Sequence, residues 1–186
     1  MLKYFWYSFI IIGLSSCRAK TPVITERQLV TKIHLDSLVV KDLSEDMSRI
    51  STQEDEIFLF TFLHQNNEIL RVFKTPQLIF TKRELKFSIN HLLIPSEETN
   101  RCTFFLVELD HESLPHAVDS LLINWVRQPS FPANFNLLQA DSLLGDDDLL
   151  GMQSYLASDL PGLSPLVFSG RQLFDRFVYE LYFRSE

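Results

Sequence analysis

Ile57-Phe-Leu-Phe-Thr-Phe-Leu63, Gln65-Asn-Asn-Glu68 and Ile69-Leu-Arg-Val-Phe73 follow one another almost without a break, and their reading decides the fold. The first run is strongly apolar, rich in aromatic residues and too short for a typical helix, so it reads as a β-strand. The polar residues after it read as a hairpin turn into a second strand. Working outward, a β-like pattern begins at Thr31. There Ile33, Leu35 and Ser37 fall on one face and His34, Asp36 and Leu38 on the other, running into Val39-Val40. Short strands are also expected over 78–81, over 85–89 with Leu85, Phe87 and Ile89 on one face, and over 103–109. The chain ends in a strand over 173–184, in which Phe177, Tyr179, Leu181 and Phe183 oppose Arg176, Val178, Glu180 and Tyr182.

Residues 116–128 read as the one helix, because Val118, Leu121, Leu122, Trp125 and Val126 recur at helical spacing, with Trp125 as a core residue. Residues 41–56 are polar, 95–100 are rich in turn formers, and short apolar runs over 135–138 and 149–156 flank an acidic loop. About eight short strands in a chain with only five glycines predict an all-β fold, an antiparallel β-sandwich with one inserted helix.

The N-terminus carries a separate signal. Lys3 precedes an apolar run from Tyr4 to Leu14, broken only by Ser8 and Gly13, which leads into Leu14-Ser-Ser-Cys17. At ~1.5 Å per residue this run reaches about 16 Å, roughly half a hydrocarbon core, and does not span a membrane as a helix. It resembles the lipobox signal peptide of bacterial lipoproteins. The resemblance implies cleavage before Cys17 and lipidation of its thiol and new amine, by palmitate or a similar acyl chain. Residues 1–16 are then the signal peptide, 17–30 a lipidated tether, and 31–186 the folded domain. Arg18-Ala-Lys-Thr-Pro22 has neither the aspartate nor the acidic cluster that redirects such proteins, so the resemblance places the chain in the outer membrane, facing the periplasm.

Loss of residues 1–16 removes one lysine, leaving 16 basic against 24 acidic residues and a net charge of 16 − 24 = −8. An acidic chain with no Lys/Arg cluster lacks the electrostatic footprint of a nucleic-acid binder. Its membrane attachment rests on acyl chains rather than charge. The 16 Phe suit a single well-filled core. Cys102, in an apolar run, reads as a small inert thiol on a buried strand.

Gly145-Asp-Asp-Asp-Leu-Leu-Gly151 is the second informative segment, since three adjacent carboxylates repel one another and suit a solvated turn or a bound cation. Its Asp-Leu-Leu-Gly ending resembles the C2-domain signature, in which an acidic loop runs into a strand. Residues 40–46 and 53–59 are similar to that family's first loop and second strand, and Val107-Glu-Leu-Asp-His-Glu112 to its later loop. This C2-like resemblance implies that Ca²⁺, if bound, is held by Asp46, Asp55, Asp110, Glu112, Asp147 and Asp148. An alternative alignment enters the loop through Gln139-Ala-Asp141. The proline-tyrosine that usually follows the family's first-loop aspartate is absent. Ca²⁺ takes six to eight oxygens, which several loop carboxylates supply, while solvated acidic loops are the simpler reading.

Other chemistry is thin. His111 and His116, near Asp110 and Glu112, match no strong zinc motif. Ser169-Gly170 lacks the preceding Gly-x of a nucleophile elbow, no glycine-rich phosphate loop is present, and His34, His64 and His91 suggest no triad. These observations lead to the expectation of a non-enzymatic adaptor or assembly component of a periplasmic or trans-envelope complex. Its layout resembles the small β-sandwich lipoproteins of type VI secretion machines. Phe131-Pro132 and residues 113–145 are its expected contact surface with other envelope proteins. The alternative is a calcium-dependent module binding a lipid or glycan, and a third reading is an envelope hydrolase.

Overall fold

The structure, a computed structural model, describes residues 32–43, 54–93, 101–108, 115–144, 148–172 and 175–185. Among them the strands are β1 (Ile33–Asp42), β2 (Glu54–Gln65), β3 (Glu68–Lys74), β4 (Leu78–Thr81), β5 (Lys86–Leu93), β6 (Arg101–Glu108), β7 (Asp148–Leu156), β8 (Leu166–Gln172) and β9 (Asp175–Ser185). The helices are α1 (Pro115–Val126) and the short α2 (Leu137–Asp141). The strands form two antiparallel sheets packed as a sandwich: a four-stranded sheet ordered β5-β1-β9-β8, and a five-stranded sheet ordered β3-β2-β6-β7 with β4 also on β2. Strands β3 and β4 share one side of β2, β4 taking Glu54 to Ile57 and β3 taking Phe60 to Gln65.

Period-two patterning accounts for most of this. On β2, Ile57, Leu59 and Leu63 face the other sheet and meet Leu35, Leu38, Phe168, Tyr179 and Leu181 in one core. Phe58, Phe60 and Phe62 face away and form a second core with Phe105, Val107 and the apolar stripe of α1, Val118, Leu122, Trp125 and Val126. Both faces of β2 and β6 are therefore dry, which is why their sequences are apolar at nearly every position instead of alternating. The molecule has three layers on this side: helices, five-stranded sheet, four-stranded sheet.

The hairpin turn and α1 are fastened together. Asn66 adopts φ = 52°, a left-handed conformation that Asn tolerates better than most residues. Asn67 Nδ2 donates to the Val126 and Gln128 carbonyls at 3.1 and 2.5 Å, satisfying groups at the C-terminal end of α1. Lys74 on β3 pairs with Asp119 of α1 at 2.9 Å, with its ammonium over the rings of Phe58 and Phe60 at 4.9 and 4.7 Å.

Two sequence expectations need correction. Leu38 does not lie with His34 and Asp36 but is fully buried with Leu35 and Val40. The β1–β9 register slips between Leu35 and Ser37, so Asp36 is an extra residue that moves the rest of the strand to the opposite phase. The apolar run over 135–138 leads into a second helix, α2, whose N-cap Asn136 accepts from Gln139 N–H at 3.2 Å. The described part of residues 113–145 roofs the five-stranded sheet, with Phe131 turned inward and Leu137, Leu138 and Leu143 left exposed. The tether and Cys17 lie outside the described residues.

Candidate docking groove between two edge strands

Strands β7 and β8 are the last strands of their respective sheets, and they run beside each other along one side of the sandwich. Among the described residues β7 pairs only with β6 and β8 only with β9. Each therefore turns a backbone edge without a ladder partner toward this side. Glycines set the closeness of the approach. A Cβ on Gly151 of β7 would lie 2.9 Å from Cδ1 of Phe168 on β8, and one on Gly170 would lie 2.5 Å from Cζ of Phe177 on β9. The rings of Phe168 and Phe177 occupy the space that those side chains would need. Gln153 Nε2 donates to the Val167 carbonyl at 3.2 Å, a single side-chain tie between the two edges.

Helix α2 closes one end of this side. Asp141 Oδ1 accepts from Leu149 N–H at 2.8 Å, which holds α2 against the start of β7. Two cavities of about 150 and 280 Å³ open between α2, β7 and β8, and both are lined by Leu137, Leu150 and Ser169. At the rim, Leu138 is 81% exposed and Leu137 39%. These two adjacent leucines leave an apolar rim in water beside two strand edges that have no ladder partner among the described residues, an arrangement characteristic of interaction sites.

The residues proposed from sequence for calcium fall differently. Asp46, Asp110, Glu112 and Asp147, with Cys17, lie outside the described residues. Asp55 is fully buried between the sheets, where its Oδ2 accepts a hydrogen bond from the Tyr179 hydroxyl. Asp148 opens β7 opposite Glu108, which in turn stands opposite Ile57 of β2, so Asp55 and Asp148 share one end of the five-stranded sheet. Asp148 lines the smaller cavity of the groove and Asp55 does not. Among the described residues, no group of three or more His, Cys, Asp or Glu side chains is placed to hold a metal ion.

Phe131, expected at a contact surface, is only 8% exposed and packs against Phe105 and Phe135, with ring centroids 6.2 and 5.8 Å away. Trp125 is a core residue, as its spacing predicts. Cys102 is fully buried, and burial pushes its thiol up to about 12, the inert behaviour expected of it.

The sequence pattern concealed a buried polar row. His64 Nδ1 lies 2.6 Å from the Asn66 carbonyl, His64 Nε2 lies 2.9 Å from Thr103 Oγ1, and Thr103 Oγ1 lies 2.8 Å from Ser154 Oγ. A carbonyl can only accept, so Nδ1 carries a proton; with the imidazole neutral, Nε2 accepts from Thr103, which accepts from Ser154. Burial lowers the His64 pKa, with Arg101 adding to the effect and the Asn66 carbonyl opposing it. Thr103 is fully buried, so the hydroxyl next to this histidine faces protein and not an open cleft.

The groove itself was not read from the sequence. Two of the five glycines, Gly151 and Gly170, stand in strands where glycine normally weakens pairing, and that was the available signal. A scan against protein-family models gives no match for this chain, and no curated protein matches it.

Proposed function

We propose that this protein is a lipid-anchored adaptor of the bacterial outer membrane, facing the periplasm, that docks an extended apolar segment of a partner envelope protein in the β7–β8 groove and catalyses nothing. The observation that carries the reading is the coincidence of two open strand edges with the Leu137 and Leu138 rim. An added strand takes its affinity from main-chain hydrogen bonds and its specificity from pockets for alternate side chains, and the groove offers both. A fully exposed leucine that a partner buries contributes about 1.5–3 kcal/mol, so Leu138 with part of Leu137 supplies a minority share of the ~8 kcal/mol of a micromolar complex, the rest falling to the partner's own apolar side chains and main-chain hydrogen bonds. The lipobox-like Leu14-Ser-Ser-Cys17 supports the address, and a tether over 17–30 lets an anchored domain reach a partner held elsewhere in the envelope.

The test places a photo-crosslinking residue at Leu138, at Val167 on β8 or, as a remote control, at Val72 on β3, in cells that make the full chain. All three side chains are exposed. One partner captured from positions 138 and 167 but not from 72, and lost in a Leu137→Ser background, supports the adaptor. Equal capture from all three positions, or capture only from 72, overturns it. A calcium-dependent lipid- or glycan-binding module is the second reading, and Asp148 at the groove favours it. A Ca²⁺-dependent rise in melting temperature that disappears in Asp148→Ala would move the assignment there.

A further inference from the structure

The helical layer covers only one outer face of the sandwich; the outer face of the β5-β1-β9 strands has no such cover among the described residues. Over that bare face runs an open trough of about 610 Å³. Its lining includes Lys41, Lys86 and Arg184 against Asp36, together with Asn90 and Tyr182, while Glu180, paired with Lys41 and with the Tyr182 hydroxyl, is a second acid beside it. On a chain of net charge −7 this is a local excess of positive charge.

Backbone irregularities shape the trough. Between Leu35 and Ser37, β5 runs from His91 to Ser88, so Ile89 and Asn90 oppose Asp36 alone, and Asn90 takes φ = 48°. On the β9 side the register slips at the same place and again between Val40 and Asp42. Bulges bend a strand and re-aim its side chains, and here they lie under the trough.

The cations are spread out. Arg184 stands opposite His34, Lys86 opposite Val39, and Lys41 two residues further along β1. At ~3.3 Å per residue, the seven steps from His34 to Lys41 cover at most about 23 Å. A single phosphate calls for convergent donors, whereas this spacing suits an elongated anion. The existing ion pairs are easily exchanged. Lys41 reaches Glu180 at 3.4 Å and Arg184 reaches Asp36 at 3.5 Å, with the two cationic side chains 52% and 61% exposed. Pairs this exposed contribute little, so a ligand carboxylate can replace either partner. Asp36 and Glu180 would then be free to accept from the hydroxyl groups that a saccharide carries along its length. Tyr182 adds an aromatic ring and Asn90 a further donor and acceptor.

We propose that this trough, on the four-stranded sheet and separate from the β7–β8 groove, binds an anionic saccharide chain such as a carboxylated glycan of the envelope. It does not rest on the adaptor reading.

The experiment titrates the full chain in detergent micelles with hexagalacturonate, maltohexaose and hexathymidylate by calorimetry at low ionic strength. Hexagalacturonate should bind at least tenfold more tightly than maltohexaose and hexathymidylate. Lys86→Gln and Arg184→Gln should each weaken it severalfold, and together tenfold or more, without moving the melting temperature. Tyr182→Leu should weaken both saccharides alike. Absence of hexagalacturonate binding, binding indifferent to the Lys86→Gln/Arg184→Gln pair, or tighter binding of hexathymidylate overturns the proposal.

Discussion

Tyr179 donates its hydroxyl proton to Asp55 in the dry space between the sheets, and both residues are fully buried. A carboxylate there depends on its donors, since a buried charge without them is far costlier than an exposed one. Tyr179→Phe removes one donor and little volume, and should lower the unfolding free energy by about 1.5–3 kcal/mol in urea titrations. His64 makes a second residue-level prediction. Its pKa is lowered from 6.5 in the folded state, so between the folded value and 6.5 the unfolded chain binds more protons. The stabilisation is fully present above 6.5 and is lost as pH falls toward the folded value. Stability measured from about pH 7 down to pH 5 should fall less steeply in His64→Asn than in wild type. His91, stacked on Phe73 with centroids 3.5 Å apart and also lowered by burial, should keep part of the slope in that variant.

At the scale of elements, sequence patterning and structure agree where a strand or helix is regular. The helix expected over 116–128 is α1 at Pro115–Val126, and β9 buries Phe177, Tyr179, Leu181 and Phe183 as alternation requires. Agreement fails in β1, because strict alternation cannot see the residue that a bulge adds, and every side chain after Asp36 changes face. Joints between elements are equally hidden. Nothing in Asn66-Asn67 beyond a turn signal says that the Asn67 side chain will hold the end of α1. Asn67→Ala should cost about 1 kcal/mol and speed amide exchange in the last turn of α1 before it affects β6. On β7, Gly151→Ala forces the Phe168 ring to move and should cost about 1–3 kcal/mol, read as a lower melting temperature.

At the scale of the whole molecule, and among the described residues, the sandwich has one outer face roofed by helices, one bare polar face, and a side where the sheets end in adjacent open edges. Stability and recognition should therefore separate cleanly. Leu138→Asp changes a side chain 81% exposed, so its melting temperature should stay close to wild type while partner capture is lost. On the proposed lipid anchor, Cys17→Ala should have the complementary effect, leaving the groove competent and releasing the protein from the membrane fraction, because acyl chains would provide the hold.

Local order along the chain was enough to determine the strand-rich class, the hairpin at Asn66-Asn67, the one long helix and the buried thiol of Cys102. Each is encoded in side chains a few residues apart, where periodicity and turn chemistry act directly. Only the tertiary structure decided that β2 and β6 are dry on both faces, that Asp55 points inward to Tyr179, and that Gly151 and Gly170 lie along a groove. Those outcomes depend on which strands become neighbours and which are left at an edge. Tyr179 and Asp55 are 124 residues apart in the chain, and no local pattern carries information about a partner that distant.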